Sequence, residues 1–394
     1  MLDPIVNFFT RIFHWIGRGI GLVIGVLLWP FLWVGRWYTQ RGLVLRGVLG
    51  LIVLGIIGLY GYFFYVTQWW NNFNPDYPTL TAASANPQAA GLVAGDPVAA
   101  ATTTGQGSGG GAESTPAAPA APGQQQVCKR SEIAAVSADL VDFNVNQNAW
   151  ISSMLASKLG FFGMSWRNTP FFDNKAAFQL GINQVMRRTT TELVDTLGRT
   201  RGTSQIDQNL QNARTSLAWD EDAWYVGLRG PTRPTPSVYR DAIRSLRTFN
   251  ASLEKCQATF DARADNLLLF LDRIAGDMGS TSDILRGQIE ASDAGWFDPR
   301  ADDRFWFAYG QLYAYYGILA AARVDFASVI AERNLTRAWA DMMEQLRTSL
   351  NMQPAIISNG RESSFLFPSH LANMGFYVLR VRSQLVEIRQ ILDR

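Results

Sequence analysis

Cysteine, histidine and lysine are all scarce in this chain. Two cysteines, Cys128 and Cys256, and two histidines, His14 and His370, nearly exclude a Cys/His metal site, which needs three or four such ligands. No Ser/His/Asp or Cys/His catalytic set can be assembled from them, and neither GxGxxG nor a P-loop occurs, so no cofactor is expected. An excess of one charge is also missing. The net charge of +2 sets up no field that would gather nucleic acid, so no nucleic-acid partner is expected. Lysine occurs only at positions 129, 158, 175 and 255, and arginine fills the other cationic positions, a bias read as codon usage.

Apolar residues crowd the N-terminal part instead. Val48 to Val66 is an uncharged apolar run. As a helix it would cover about 28 Å, close to the hydrocarbon thickness of a bilayer. Tyr60, Tyr62, Tyr65, Trp69 and Trp70 crowd its C-terminal end, as an interfacial aromatic belt would. Arg36, Arg41 and Arg46 precede it, and no Lys or Arg follows until Lys129. The positive-inside rule therefore puts the Arg side in the cytoplasm and everything after Val66 outside. A second, shorter run, Gly19 to Val34, contains Pro30 and reads either as a span or as a re-entrant segment. Ahead of it, Ile5, Phe8, Phe9, Ile12, Phe13 and Ile16 follow helical spacing, as in an interfacial amphipathic helix or the start of one longer, bent hydrophobic helix. Residues 1–70 are thus expected to be a membrane anchor with a transmembrane helix at 48–66.

Asn71 to Gln126 lacks apolar periodicity and is rich in Ala, Pro, Gly, Thr and Gln. Such a composition cannot offset its ordering entropy, so residues 71–126 are expected to be a disordered linker. A tether of this kind would reach about 40 Å from the membrane. Residues 127–394 show helix periods throughout. The fold class expected is all-α: an anchor, a linker, then a bundle of about seven to nine helices, two or three of them long and coiled-coil-like. The clearest helix runs from Pro236 to Asp277, with Val238, Ala242, Leu246, Phe249, Leu253, Cys256, Phe260, Leu267, Leu271 and Ile274 on one seam, interrupted at Arg263. Pro236 suits its first turn and Gly279 its stop. Ser280 and Asp283 resemble a capping box for a short following helix. Another helix starts at Asp173 or Asn174, either of which is a good cap. Phe305 to Ile330 is an unusually aromatic helix, and Leu371 to Leu392 closes the chain with a regular apolar stripe.

Four stretches carry a resemblance: 169–179 (Thr-Pro-Phe-Phe-Asp-Asn-Lys-Ala-Ala-Phe-Gln), 260–268 (Phe-Asp-Ala-Arg-Ala-Asp-Asn-Leu-Leu), 294–298 (Ala-Gly-Trp-Phe-Asp) and 310–316 (Gly-Gln-Leu-Tyr-Ala-Tyr-Tyr). They resemble a family of uncharacterised bacterial inner-membrane proteins, a domain of unknown function. The resemblance implies a membrane anchor with an exported helical domain. It implies no activity and no catalytic residue.

Three groups of residues can carry chemistry. Cys128 and Cys256 both fall in the exported part, where oxidising conditions permit a disulfide. A bridge between them would close a loop of roughly 128 residues, worth about 5 kcal/mol in the chain-entropy view. The alternative is a buried free Cys256 and an exposed Cys128. Carboxylates cluster at Asp220, Glu221 and Asp222, and again at Asp298, Asp302 and Asp303, with Trp219, Trp224, Trp296, Phe297 and Trp306 nearby. A pair of carboxyls roughly 6.5–9.5 Å apart beside aromatic walls is what an inverting glycosidase needs. Clustered Asp near helix ends is more commonly a cap or a solvated loop. Trp296, Asp298, Asp302, Asp303 and Trp306 therefore stand as a candidate interaction or glycan site.

The function expected is non-enzymatic. The chain reads as a bacterial inner-membrane protein whose periplasmic bundle binds an envelope protein or peptidoglycan, with the lipid bilayer as its other partner and self-association compatible with its long seams. The alternative is an enzyme acting on glycan or peptidoglycan through residues 296–306.

Overall fold

A computed structural model describes residues 15, 18, 22, 25, 29–30, 32–77, 128–161, 163–166, 169, 171–199, 205–227, 230–291, 298–360 and 368–394. These form two compact units, Met1–Tyr62 and Phe63–Arg394. The amphipathic reading of residues 5–16 lies outside the described residues.

In the first unit, residues 32–39 are helical and a turn leads into helix α1, Leu43–Gln68. The Tyr38 hydroxyl donates to the Arg46 carbonyl at 3.0 Å across that turn, and the Arg41 guanidinium lies 4.6 Å from the centre of the Trp37 ring. Helix α1 is long and apolar enough to cross a membrane, and its most apolar stretch is unburied. Absence of any charge after Arg46, together with strong helix formers and small residues, explains its length.

The second unit is almost wholly helical. Its helices are α2 (Glu132–Asp142), α3 (Leu155–Leu159), α4 (Asn174–Glu192), α5 (Gln208–Leu217), α6 (Thr235–Glu254), α7 (Ala264–Ala291), α8 (Ala301–Asp325), α9 (Ala327–Glu332), α10 (Thr336–Leu350) and α11 (His370–Leu392). One two-residue antiparallel hairpin, Val226–Gly227 with Gly230–Pro231, interrupts them. Helices α4 and α8 pack along each other, as do α7 and α11, while α2 and α5 flank α6. Helix α8 is apolar on every side, so every side is buried, including Tyr309, Tyr313 and Tyr315. At its far end the half-buried Asp325 carboxylate accepts from the Ser131 hydroxyl and from the backbone N–H groups of Glu132 and Ile133. It thereby satisfies the free donors that open α2.

The structure revises four sequence expectations. Ten helices, not seven to nine, are described in this unit, and five of them are long. The helix expected from Pro236 to Asp277 is two helices. Helix α6 stops in a Schellman turn: the Cys256 N–H donates to the Leu253 carbonyl, the Gln257 N–H donates to the Ser252 carbonyl, and Cys256 takes φ +59°. Glycine usually signals that turn, and here cysteine occupies it. Helix α7 then runs through Gly279 and Ser280 to Ala291, so neither residue ends or caps a helix. The Ser280 hydroxyl donates to the Gly276 carbonyl instead.

The fourth revision concerns the linker. Residues 71–77, placed at its start, are packed. Phe73 meets Phe178 edge-on at 5.6 Å and stacks on Tyr313 at 5.7 Å, and Tyr77 stacks on Tyr313 at 4.3 Å. The Tyr77 hydroxyl donates to the Tyr313 carbonyl, and Gly317 leaves the space its ring fills. Asp76 pairs with Arg347 at 3.0 Å. The aromatic content that offsets ordering entropy extends to Tyr77, beyond the expected boundary. Residues 78–127 thus join two parts of one packed unit, and their length does not set a tether's reach.

Cys128 and Cys256 are paired as a disulfide, with Cα atoms 5.3 Å apart and 128 residues between them in sequence. The Schellman turn presents Cys256 outward from the end of α6 rather than on its seam. Intact, unreduced full-length protein should therefore take up no maleimide even after denaturation. Two labelled thiols would show that the bridge does not form.

Candidate functional site

After α2 the chain turns through residues 143–173. Helix α3 ends at Gly160, which takes φ +64° and sits against the Met164 carbonyl, leaving no room for a side chain. Phe161 and Met164 then exchange backbone hydrogen bonds at 2.8 and 3.0 Å around Gly163. This tight return brings Trp166 back over α3, where its indole N–H donates to the Ala156 carbonyl. Trp166 packs at 5.1 Å on both Phe63 and Phe172. One face of the last turns of α1 is therefore covered, with Phe63, Val66 and Thr67 buried while Phe64 and Tyr65 stay exposed.

Lys175, in the first turn of α4, is buried and donates to the carbonyls of Val66 and Trp69, both at 2.9 Å. These are among the carbonyls that the end of α1 leaves without helical partners, and a cation is favourable there. Burial lowers the ammonium to about 8.

Beside these residues lies a cavity of 660 Å³. Phe63, Trp166 and Phe172 form its apolar wall, and Asp173, Glu221, Asp222 and Asp303, with Arg300 and Arg304, form its polar wall. Glu221 accepts from Arg187 and Asn183, each at 2.8 Å, and Asp222 lies 3.7 Å from Lys158. Asp173 differs from both. It occupies the N-cap position of α4, yet its side chain makes no capping bond. It is only 4% exposed, and neither carboxylate oxygen accepts a hydrogen bond. Burial pushes it up to about 9, and the charges of Asp303 and Asp302 push in the same direction. Asp302, in the first turn of α8, is 3% exposed and also accepts nothing. Burial, then Asp303, raises it to about 7. Leaving such a group buried and unsatisfied costs about 1–3 kcal/mol. Two of them side by side are a large expense for a fold to maintain without a use.

The residues flagged in the sequence separate here. Asp303 lines the cavity and Asp302 lies in the same helical turn, held apart from solvent rather than solvated as expected. Asp298 is a structural tie, accepting from Gln288 at 2.9 Å, from Asn359 at 3.0 Å and from the Arg300 N–H at 3.1 Å. Trp306 turns into the aromatic core, 5.1 Å from Trp70 and 5.2 Å from Tyr309, and its indole N–H is unsatisfied. Trp296 lies outside the described residues. The two carboxylate clusters, 220–222 and 298–303, meet at one cavity through Glu221, Asp222 and Asp303. Sequence reasoning missed Asp173, because an Asp before a helix reads as a cap. The available signal was redundancy: Asp173 and Asn174 are both good caps, and only one is needed. His370 accepts the Ser358 N–H on Nδ1 at 3.0 Å, which leaves its proton on Nε2, and burial lowers it. Among the described residues no group of three or more His, Cys, Asp or Glu side chains is placed to hold a metal ion.

No curated protein and no solved structure matches the chain. A family model does, over residues 145–295 and 292–394, and it takes in both carboxylate clusters, helices α4 to α11 and the lining of the cavity apart from Phe63. The chain belongs to that family, DUF2333, described as an uncharacterized protein conserved in bacteria.

Proposed function

We propose that this is a non-enzymatic inner-membrane protein whose helical bundle faces the periplasm and binds an envelope component, protein or peptidoglycan, with the cavity beside Asp173 as part of its recognition surface. One observation carries the reading: Phe63, Val66 and Thr67 at the end of the apolar helix are buried, and Lys175 of the bundle holds the carbonyls of Val66 and Trp69. The orientation rests on Arg36, Arg41 and Arg46 before the apolar run and on the lack of any cation between Arg46 and Lys129. The disulfide suits an oxidising compartment. Leu155, Leu159, Phe161, Met164 and Phe171 are exposed around the Trp166 turn, where Phe64 packs on Phe172 at 5.7 Å. That apolar surface suits the headgroup region of a bilayer.

A second reading, an enzyme acting on glycan, keeps one specific observation in its favour: carboxyls and aromatic rings share the walls of a single cavity. Detectable cleavage of purified peptidoglycan by the full-length protein, lost in Asp303→Asn, would move the function to that class.

Alkaline phosphatase fused after Arg394 should be active in cells, and a fluorescent protein fused there that matures only in the cytoplasm should be dark. The opposite pair of results would overturn the orientation. In-cell photocrosslinking from Met164 and Arg304 should capture one envelope component reproducibly, and capture of cytoplasmic proteins alone would count against the reading.

A further inference from the structure

Of the four carboxylates on the cavity wall, Glu221 and Asp222 already have cations, from Arg187 and Lys158. Asp173 has none. It is 4% exposed, lines the cavity, and gives up the capping bond that its position at the start of α4 offers. A carboxylate in that state lacks a countercharge and a full hydrogen bond, with only the backbone N–H groups of Asp173 and Thr169 near it. Arg300 and Arg304 line the same cavity, are exposed, and form no ion pair among the described residues. The wall therefore offers a buried acceptor and, on the same surface, two free fork-shaped donors suited to a phosphate or carboxylate.

We propose that this cavity binds a small zwitterion, its primary ammonium received by Asp173 and its anionic group by Arg300 and Arg304. A primary ammonium supplies three N–H donors along with its charge, so it satisfies both oxygens that the fold leaves empty. A quaternary ammonium supplies charge without donors and leaves them unsatisfied. The volume of 660 Å³ holds a headgroup-sized molecule. Phe63, from the last turns of the apolar helix, forms part of the wall. The same chemistry has two sources, a phosphatidylethanolamine headgroup or a free amino zwitterion. Only the lipid source rests on the membrane-anchored reading above.

The test uses full-length protein purified in a maltoside detergent and titrated calorimetrically with phosphoethanolamine at neutral pH. Saturable binding is expected, and ammonium binding should return Asp173 to its charged form and release a proton, seen as a heat that depends on the buffer. Phosphocholine and inorganic phosphate should bind at least about tenfold more weakly. Asp173→Asn should lose about tenfold or more in affinity while keeping its helical signal and melting at or above the wild-type temperature. Arg304→Gln should weaken phosphoethanolamine and spare ethanolamine. The proposal is overturned if phosphoethanolamine gives no binding heat, if phosphocholine binds as well, or if a folded Asp173→Asn protein binds like the wild type. Nanodiscs of phosphatidylcholine with and without phosphatidylethanolamine then separate the sources. If the ethanolamine lipid blocks the free ligand, the headgroup is the natural occupant; if it does not, the ligand is free in solution. An inactive phosphatase fusion would remove the membrane reading and the lipid source, and would leave the detergent titration standing.

Discussion

Replacing Gly310 by alanine should cost about 3 kcal/mol or more, enough to prevent recovery of folded protein, and Gly181→Ala should behave alike. The two glycines face each other where α4 crosses α8. A methyl group on Gly310 would sit on the Phe178 carbonyl oxygen and 3.0 Å from its carbon; one on Gly181 would sit on the Phe307 carbonyl oxygen and 3.0 Å from the Gln311 nitrogen. The opposing atoms belong to helix backbones, so no rotamer change relieves the clash and the helices must separate. Separation would open the aromatic core formed by Phe178, Tyr309 and Tyr313. Control substitutions lie in α7, where a methyl group on Gly276 or Gly287 meets nothing within 4 Å. There alanine should stabilise by about 0.5–1 kcal/mol, since it lowers the entropy cost of forming the helix. Thermal melts of purified full-length protein would check both directions. Unchanged stability in Gly310→Ala would refute the close crossing.

Stability should fall as pH rises from about 5 to about 8.5, by about 3 kcal/mol from Asp173 and Asp302 together. The sign follows from the folded state. Both groups are raised there, to about 9 and about 7, from an ordinary value near 3.8. Above pH 4 the unfolded chain gives up these protons while the folded chain keeps them, so each step upward favours unfolding. The contribution of Asp302 levels off above about 7 and that of Asp173 above about 9. A tenfold difference in proton affinity between the folded and unfolded chain is worth about 1.4 kcal/mol, and relaxation around a buried charge keeps the total below the full sum. Asp325, raised to about 6 by burial, adds to the slope only at its acidic end. His370 and Lys175, both lowered by burial, act oppositely, His370 below its ordinary value and Lys175 between about 8 and 10. The difference between wild type and the double variant Asp173→Asn, Asp302→Asn isolates the two carboxyls. Melting temperatures of the double variant should be nearly flat across this range relative to wild type, and higher at pH 8.5. Parallel curves would mean that both carboxyls titrate normally. A higher melting temperature at pH 8.5 would also contradict a purely capping role for Asp302, whose loss would lower stability at every pH.

Residue patterns alone determined the apolar helix, the all-helical class and the inward faces of α4, α8 and α11. These rest on local rules: charge exclusion over a long apolar run, spacing of three and four, and a helix apolar on all sides needing burial on all sides. Family membership was legible for the same reason, since it resides in short contiguous stretches such as 169–179 and 310–316. The break after α6 was not legible. A Schellman turn needs one left-handed residue, and Cys256 supplies it without the glycine that would have announced it, while the apolar spacing runs on across the gap. The packed state of residues 71–77 depends on partners 100 to 270 positions away, Phe178, Tyr313 and Arg347, which no local composition reveals. Most of all, sequence distance hid the site. Asp173, Glu221, Asp222 and Asp303 occupy three separate stretches of chain, and each has an ordinary local explanation as a cap or a turn. Only the crossing of α4 with α8 at Gly181 and Gly310, and the return of the Trp166 turn onto Phe63, decided that they share one cavity and that Asp173 is left there without a partner.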